Sequence, residues 1–225
     1  MLLRRCLAVR NHALAGLSLL AGLALPLAAR AGAQVEEPLA DSVRTALSAA
    51  VGKSAPQLVF ADAAQRQQCE SWALVLEARL AKRKPEDLVR REFLQTVCYE
   101  SKRAGLDPAL VMGLIQVESG FRKYAISPVG ARGYMQVMPF WSRSIGNGEA
   151  SSLFHMQTNL RFGCVILRHY LDVERGNLFM ALGRYNGSRG RAEYPNMVTA
   201  ARRAWQAGDD ILAQAPDTVD GAVRH

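Results

Sequence analysis

The segment from Asp107 to Gly120 constrains this chain more than any other stretch of its sequence. Asp107 followed by Pro108 is typical of a helix N-cap with proline in the first helical position. Gly120 supplies a helix stop. The nine residues 109–117 are almost all apolar. The pattern therefore predicts a short helix that is buried on nearly every side, with Glu118 at its end.

Glu118 falls on the buried face of this predicted helix. It follows Val111, Leu114 and Ile115 at spacings of seven, four and three residues. A carboxylate in that position costs several kcal/mol unless it is paired or takes up a proton. Two interpretations follow: Glu118 caps the helix or pairs with Arg122 at the surface, or an apolar wall keeps it neutral, as a general acid requires.

The remaining sequence predicts an all-α protein. Apolar residues recur at helical spacing, capping residues and prolines mark the starts, and no alternating run is long enough for a strand. Predicted helices cover residues 37–52, 62–83, 85–104, 157–175, 177–185 and 195–207, with a helical turn beginning at Pro139 and a glycine-rich break at 146–148. Residues 209–225 have no sustained periodicity, which predicts a disordered tail.

The first 33 residues are typical of a secretory signal peptide. Arginines at 4, 5 and 10 precede an apolar run over residues 13–25, and residues 31–33 offer a small-residue cleavage site. We therefore expect an exported protein of the periplasm or cell envelope. An uncleaved N-terminal anchor is the alternative, although the apolar run is short for a membrane span.

The charge of the chain changes once this segment is set aside. The whole sequence has 28 Lys and Arg residues against 20 Asp and Glu; residues 1–33 contain four arginines and no acids, which leaves 24 against 20. A surplus of this size suits a polyanionic substrate, and it suits a membrane surface or no specific partner equally well. No basic stripe is interleaved with aromatic residues, so we expect no nucleic-acid partner. We expect a monomer.

Three cysteines follow residue 33, at 69, 98 and 164. An oxidising compartment permits a disulfide. Cys69 and Cys98 lie at nearly equal distances from the predicted turn at Lys84-Pro85, so an antiparallel helix hairpin would bring them level. Their pairing is a hypothesis that leaves Cys164 as a buried, inert thiol. Histidines at 12, 155, 169 and 225 form no ligand pair at helical spacing, and we predict no metal and no cofactor.

Four short motifs occur in a fixed order along the second half of the chain. They are Glu118-Ser119-Gly120-Phe121, Ser127-Pro128-Val129-Gly130-Ala131, the run Gly133-Tyr134-Met135-Gln136-Val137-Met138-Pro139, and Tyr185-Asn186-Gly187. Their order and spacing resemble the soluble lytic transglycosylase family, lysozyme-like enzymes that cleave bacterial peptidoglycan. The resemblance covers about half of the chain.

The resemblance implies a lysozyme-like helical domain at residues 85–208, preceded by an N-terminal helical segment at 34–84. It also implies cleavage of the β-1,4 bond between N-acetylmuramic acid and N-acetylglucosamine without water, which leaves 1,6-anhydro ends. Ordinary glycosidases need two carboxylates. Only Glu118 lies in the motifs, whereas Glu100 and Glu149 lie outside them, so Glu118 is expected to act as both acid and base.

The resemblance further assigns a set of substrate-binding residues, and each also has a simpler structural interpretation. In the family, the tyrosine matching Tyr185 reaches the catalytic glutamate and helps to orient it. Ser127 could instead only form a turn, and Met138 could only fill the core. The candidates are Ser119, Ser127, Gln136, Met138, Tyr185 and Asn186.

Three residues depart from the family pattern. Tyr134 stands where leucine is usual, His155 where aspartate is usual, and Arg184 where alanine is usual. None of these changes removes a catalytic group. Two rival functions stay open: a goose-type lysozyme that uses water as the nucleophile, and a wall-binding or secretion-accessory protein that has kept the fold without turnover.

Overall fold

A computed structural model of the chain describes residues 57–145 and 149–206. They form seven α-helices and one 3-10 helix. The α-helices are α1 (Ala63–Leu80), α2 (Asp87–Arg103), α3 (Pro108–Ser119), α4 (Pro139–Ile145), α5 (Met156–Val173), α6 (Leu178–Asn186) and α7 (Glu193–Arg203); the 3-10 helix is Ala150–Phe154.

The described residues confirm the all-α prediction. Their only β features are two isolated bridges that join Arg132 to Ile126 and to Val137. Helix bounds agree with the predicted ones to within a few residues, whereas the 3-10 helix was not predicted.

Several predictions fall outside the described residues. These are the signal peptide, the helix at 37–52, the glycine-rich break at 146–148 and the tail at 209–225. The division between residues 34–84 and 85–208 likewise stays a prediction. Within the described residues, no helix is both long and apolar enough to cross a membrane.

Helices α1 and α2 form the expected hairpin, and Cys69 and Cys98 are joined in it by a disulfide bond of 2.06 Å. The start of α1 is capped as its sequence predicts: the Asp62 side chain accepts from the Gln65 backbone N–H at 2.7 Å. The Gln65 side chain in turn accepts from the Ala61 N–H at 2.9 Å. Such reciprocal bonds satisfy donors that a helix start leaves open.

Helix α3 lies at the centre of the core. Every residue from Pro108 to Ile115 is buried. The Asp107 side chain accepts from the Ala109 N–H at 2.8 Å, which caps the helix. Gly120 ends it in the left-handed region at φ 58°, where a residue without a Cβ avoids strain. The helix predicted from this segment is thus confirmed at both ends.

Helix α7 packs directly against α3 because Gly113 has no side chain. A Cβ added at Gly113 would lie 2.6 Å from the backbone nitrogen of Arg202. Two polar contacts hold the crossing: Arg202 pairs with Asp107 at 2.5 Å, and the Trp205 indole donates to Gln116 at 2.9 Å. The close approach brings the start of α7 towards the end of α3.

A buried ion cluster joins α2 to α5. Glu100 is fully buried, and its carboxylate lies 2.8 Å from the Arg161 guanidinium and 2.9 Å from that of Arg103. Both its oxygens accept hydrogen bonds, so its charge is compensated. Cys164 on α5 is a buried free thiol, as expected.

Candidate active site

Glu118 lies at the end of α3, and only 5% of its surface is exposed. Val111, Leu114 and Ile115 are fully buried on the same helix. Among the described residues, no Lys or Arg forms an ion pair with Glu118. Arg122 instead donates to the carbonyl of Ser119 at 2.9 Å. The surface ion pair with Arg122 is therefore excluded as the role of this glutamate.

Burial raises the pKa of Glu118 from 4.5 to about 8, while a hydrogen bond from Tyr194 lowers it by a smaller amount. The direction follows from the cost of placing a charged carboxylate in apolar surroundings. Because this pKa lies above neutrality, the side chain is mostly a neutral carboxylic acid at pH 7. A neutral carboxyl group can donate a proton.

The two oxygens of Glu118 have different environments. The Tyr194 hydroxyl donates to Oε1 at 2.5 Å. Oε2 is buried and has no hydrogen-bond partner among the described residues. Burial and the neighbouring Glu118 raise the pKa of Tyr194 well above 10, so that the phenol keeps its proton. Because Oε1 accepts the hydrogen bond from Tyr194, the acidic proton of Glu118 is placed on Oε2, the oxygen that is left for a ligand.

Tyr194 is a site residue that the sequence did not reveal. It lies on α7, 76 residues after Glu118, in no motif and in a helix without other chemical signals. Tyr185, which is expected to help orient Glu118, donates its hydroxyl proton to the carbonyl of Met135 at 2.8 Å. Its orienting role stays a prediction, and Tyr194 is a second tyrosine, which contacts Glu118 directly. Tyr185 is fully buried and influences the site through its electrostatic effect on Tyr194.

The loop between α3 and α4 is built around Asn159. Its side-chain oxygen accepts from the Met135 N–H at 2.8 Å, and its amide nitrogen donates to the carbonyls of Arg132 and Leu153 at 2.9 and 2.8 Å. Gly133 passes so close that a Cβ there would lie 2.4 Å from the Asn159 amide nitrogen, and its φ is 74°. The glycine of this motif is therefore required for the loop conformation.

Ser119 ties this loop to the end of α3. Its hydroxyl lies 2.7 Å from the carbonyl oxygen of Tyr134 and 3.2 Å from that of Ile115, and can donate to either. The residue is buried. The hydrogen bond to Tyr134 fixes the loop one residue away from Glu118.

Two other predicted site residues also shape the loop. The Gln136 backbone lies in the left-handed region at φ 48°, and its side-chain nitrogen donates to the carbonyls of Ala125 and Gly133 at 3.1 and 2.9 Å. Ser127 accepts from the Ala131 N–H at 3.0 Å. Both side chains thus have structural partners, and Gln136 is buried rather than exposed.

Met138 and Asn186 are partly buried. Met138 packs against the hydrophobic core. Asn186 donates to the Ser188 hydroxyl at 3.0 Å, and its side-chain oxygen is buried with no partner among the described residues. A buried acceptor without a donor is costly, so this oxygen is available to an N–H or O–H group of a ligand.

The residues that depart from the family pattern have partners of their own. Arg184 forms an ion pair with Glu174. Arg189, from the loop after α6, also pairs with Glu174, at 2.7 Å. These hydrogen bonds lower the pKa of Glu174 to about 2. Arg184 therefore helps to hold the loop that leads to α7. Tyr134 and His155 line a cavity between α2, the loop after α3 and the start of α5, and Glu118 is not among the residues that line it.

The site as a whole offers one neutral carboxylic acid, one tyrosine that holds it, and an oxygen left for a ligand. Glu100 is the other buried acidic residue in the part of the chain that the structure describes, and its carboxylate is bound by two arginines. In the same part of the chain, no three His, Cys, Asp or Glu side chains are grouped to hold a metal ion.

Sequence comparisons identify similar proteins. The family model described as Transglycosylase SLT domain matches residues 95–206. A protein named Transglycosylase from Enterobacteria phage PRD1 is 33% identical over 103 residues, which are 46% of this chain and 37% of that protein. The membrane-bound lytic murein transglycosylase C of Mannheimia succiniciproducens is 47% identical over 49 residues, 22% of this chain and 14% of that protein.

A search of solved structures finds an inactive mutant of the lytic transglycosylase Slt from Pseudomonas aeruginosa. It has a TM-score of 0.41 and 18% identity, with 80% of this chain and 37% of that chain covered. This chain therefore spans well under half of the length of each of these three proteins.

Proposed function

Because the chain belongs to the lytic transglycosylase family, with its Transglycosylase SLT domain at residues 95–206, we propose that it is a peptidoglycan lytic transglycosylase. Its substrate would be the glycan strand of peptidoglycan. It would cleave the β-1,4 bond between N-acetylmuramic acid and N-acetylglucosamine within a lysozyme-like domain, leave 1,6-anhydro ends, and use no cofactor.

In the first step, neutral Glu118 acts as the acid. Its Oε2 donates a proton to the glycosidic oxygen, which leaves with the N-acetylglucosamine portion as the bond to C1 of N-acetylmuramic acid breaks. The carbonyl oxygen of the substrate's own N-acetyl group bonds to C1. The substrate thereby replaces the second carboxylate of an ordinary glycosidase.

In the second step, Glu118 is a carboxylate and acts as the base. It takes the proton from the 6-hydroxyl of N-acetylmuramic acid, and O6 bonds to C1 as the bond from the acetyl oxygen breaks. The 1,6-anhydro ring forms and Glu118 is neutral again. Tyr194 would hold Oε1 throughout, since its hydrogen bond favours the carboxylate that exists between the two steps.

The single observation that carries this proposal is the state of Glu118. Its pKa of about 8 keeps the proton on the side chain at neutral pH, and Oε2 has no partner among the described residues. A glutamate with only a structural role would be expected to have a partner for both oxygens, as Glu100 does.

The substrate contacts are part of the same proposal. Asn186 is best supported, because its buried side-chain oxygen lacks a donor. Ser127, Gln136 and Met138 would line the cleft from the loop that precedes α4. Ser119 and Tyr185 would act behind them, because both are buried and bind backbone carbonyls. We propose that the protein works as a monomer in the periplasm or cell envelope.

Mass spectrometry of digested peptidoglycan tests the proposed reaction. Purified wild-type protein is compared with Glu118→Gln, and with Glu70→Gln as a control that removes an exposed carboxylate from α1. We expect anhydro-ended muropeptides, one water lighter than hydrolysis products, from wild type and Glu70→Gln only.

Each other outcome corrects the proposal in a different way. Reducing ends in place of anhydro ends would identify a lysozyme that uses water and would keep the role of Glu118. Absence of soluble products, with protein that still sediments with the wall, would favour a binding function. Equal turnover by Glu118→Gln would remove Glu118 from the mechanism.

A further inference from the structure

Lys84 is a buried lysine between α1 and α2, and the proposed reaction does not use it. Among the described residues, no carboxylate lies within ion-pair distance of its side chain. Burial lowers the pKa of Lys84 to about 8, while the charge of Glu86 raises it by a smaller amount. A buried ammonium group without a carboxylate is costly for folding. Its presence therefore calls for an explanation other than stability.

Two aromatic rings and one hydroxyl group hold the Lys84 ammonium group. Its Nζ lies 4.4 Å from the centroid of the Tyr134 ring and 4.7 Å from that of the Phe93 ring, and both are cation–π distances. It also donates to the Tyr134 hydroxyl at 2.7 Å. Tyr134 thus contacts the lysine through its ring and through its hydroxyl group. A leucine, which is usual in the family at this position, could make neither contact.

The backbone of Lys84 is bound by both helices of the hairpin. Its N–H donates to the carbonyl of Leu80, the last residue of α1, at 3.0 Å. The Arg90 guanidinium donates to the Lys84 carbonyl at 2.7 Å and to the Pro85 carbonyl at 3.0 Å. Arg90 lies on α2 and is itself buried. The disulfide-linked hairpin thus sets the position from which the lysine reaches Tyr134.

Tyr134 connects this lysine to the end of α3. Its carbonyl oxygen lies 2.7 Å from the Ser119 hydroxyl, and Ser119 follows Glu118 directly in the chain. A continuous series of contacts therefore runs from the Lys84 ammonium group through Tyr134 and Ser119 to Glu118. Packed and hydrogen-bonded chains of this kind can transmit the position of one group to another.

The same turn contacts the chain a second time, just after Glu118. Phe121 has a φ of 69°, in the left-handed region that is strained for a residue with a side chain. Its ring packs against those of Phe93 and Trp205, with centroids 6.1 and 5.3 Å away. The Arg83 guanidinium lies 5.6 Å from the Phe121 centroid. The turn thus contacts the loop after α3 near its start as well as at residue 134.

We propose that Lys84 is a positioning residue, which holds Tyr134 and, through Ser119, keeps Glu118 in its reactive geometry. The inference rests on the proposed function, which supplies the reaction. Lys84 lies before the matched residues 95–206, so the hairpin contributes to activity as well as to packing. Stability does not require this pair, because two apolar side chains could occupy the same place without a buried charge.

A double-mutant cycle tests this inference. Lys84→Met removes the ammonium group but keeps most of the side-chain length, and Tyr134→Leu introduces the residue usual in the family. Each single variant leaves the other polar group buried without its partner, so we expect kcat per folded molecule to fall about tenfold in each. The double variant should return to within about threefold of wild type. KM should change by less than about twofold, since neither residue contacts the glycan in this proposal.

The matched control is Lys82→Met, which removes an exposed lysine from the same turn and should leave kcat unchanged. Thermal unfolding then separates positioning from stability. A Lys84→Met variant with a lower Tm but the kcat of wild type would give Lys84 a purely structural role and overturn the inference. A double variant in which the two losses in kcat multiply would exclude Tyr134 as the route to Glu118.

Tyr134→Phe gives the same test if Lys84→Met does not fold. It keeps the ring beneath the ammonium group and removes only the hydroxyl acceptor. We expect kcat to fall about threefold, less than in Lys84→Met, because the cation–π contact remains. A folded Tyr134→Phe variant with the kcat of wild type would contradict the role of the hydrogen bond from Lys84.

Amide chemical shifts provide a readout that needs no turnover. In ¹⁵N-labelled protein, Lys84→Met should shift the N–H signals of Glu118 and Ser119, whereas Lys82→Met should leave them in place. If wild type does not cleave peptidoglycan, the proposed function fails, and these shifts alone decide whether Lys84 holds the end of α3. If wild type is active and Lys84→Met does not change kcat, the inference is wrong and the proposed function stands.

Discussion

Glu100 and Glu118 are both buried glutamates on neighbouring helices, yet their surroundings are opposite. Glu100 on α2 is held by Arg161 and Arg103, and both its oxygens accept hydrogen bonds. Glu118 on α3 has a single tyrosine as partner and one oxygen without any among the described residues. The same residue type thus occurs once as a carboxylate bound by two arginines and once as a carboxyl group without a cationic partner.

The contrast shows that burial alone does not mark a reactive carboxyl group. A compensated charge joins two helices and is expensive to disturb. An uncompensated carboxyl group keeps its proton and can release it to a ligand. The predictions below test whether Glu100 mainly stabilises the fold and Glu118 mainly supports activity.

The largest effect is expected in the activity of Glu118→Gln. The amide can neither donate nor accept the reactive proton, so kcat should fall about a thousandfold, within the range that acid–base catalysis supplies. The far-ultraviolet circular dichroism spectrum should match that of wild type. A variant that unfolds would give Glu118 a structural role and remove the contrast with Glu100.

Glu100→Gln should show the reverse pattern. Without the carboxylate, the charge of Arg161 is no longer compensated, and only 10% of the Arg161 side chain is exposed. We expect a loss of about 3 kcal/mol in the free energy of unfolding, as for other broken buried ion pairs. Urea denaturation measures this loss, and the activity per folded molecule should stay near that of wild type. An unchanged denaturation midpoint would contradict the structural role of Glu100.

The stability of wild type relative to Glu118→Gln should depend on pH. The pKa of Glu118 is about 8 in the folded state and near 4.5 in the unfolded chain, so between these values only the folded state keeps the proton. Wild type should therefore lose up to about 1.4 kcal/mol per pH unit relative to the variant as the pH rises from 5 to 8. Below pH 4.5 the difference should be constant. A flat difference across the window would mean that Glu118 is charged in the fold.

Tyr194→Phe should have the smallest effect. The hydrogen bond from Tyr194 lowers the pKa of Glu118, so its removal should move the alkaline limb of the kcat/KM profile to higher pH. We expect kcat to fall about tenfold, since the carboxylate between the two steps loses a donor worth about 1.4 kcal/mol. Tyr185→Phe, which removes a bond to the Met135 carbonyl, serves as the comparison. An alkaline limb that stays in place would rule out Tyr194 as the positioning residue.

Local signals in the sequence predict the helices well because they act over short distances. Asp62, Asp107 and Gly120 each satisfy backbone groups within four residues of themselves. The burial of Glu118 also follows from the neighbours on its own helix. The disulfide between Cys69 and Cys98 could be anticipated because residues at nearly equal distances from the turn of a helix hairpin lie side by side.

Contacts between distant helices could not be predicted in this way. Tyr194 meets Glu118 because Gly113 lets α7 pack against α3, and no local pattern encodes that crossing. Lys84 illustrates the same limit: its sequence context indicates a turn before proline, yet the side chain is only 7% exposed and lies over two aromatic rings. Both features depend on tertiary packing.

The covalent bond between α1 and α2 has a consequence for any shortened version of the protein. Cys98 lies within the matched residues 95–206, but Cys69 lies before them. A fragment that begins at Pro85 would keep Glu118 and Tyr194, yet it would carry an unpaired thiol and lack the buried face of α1. Expression of the smallest active piece should therefore begin before α1.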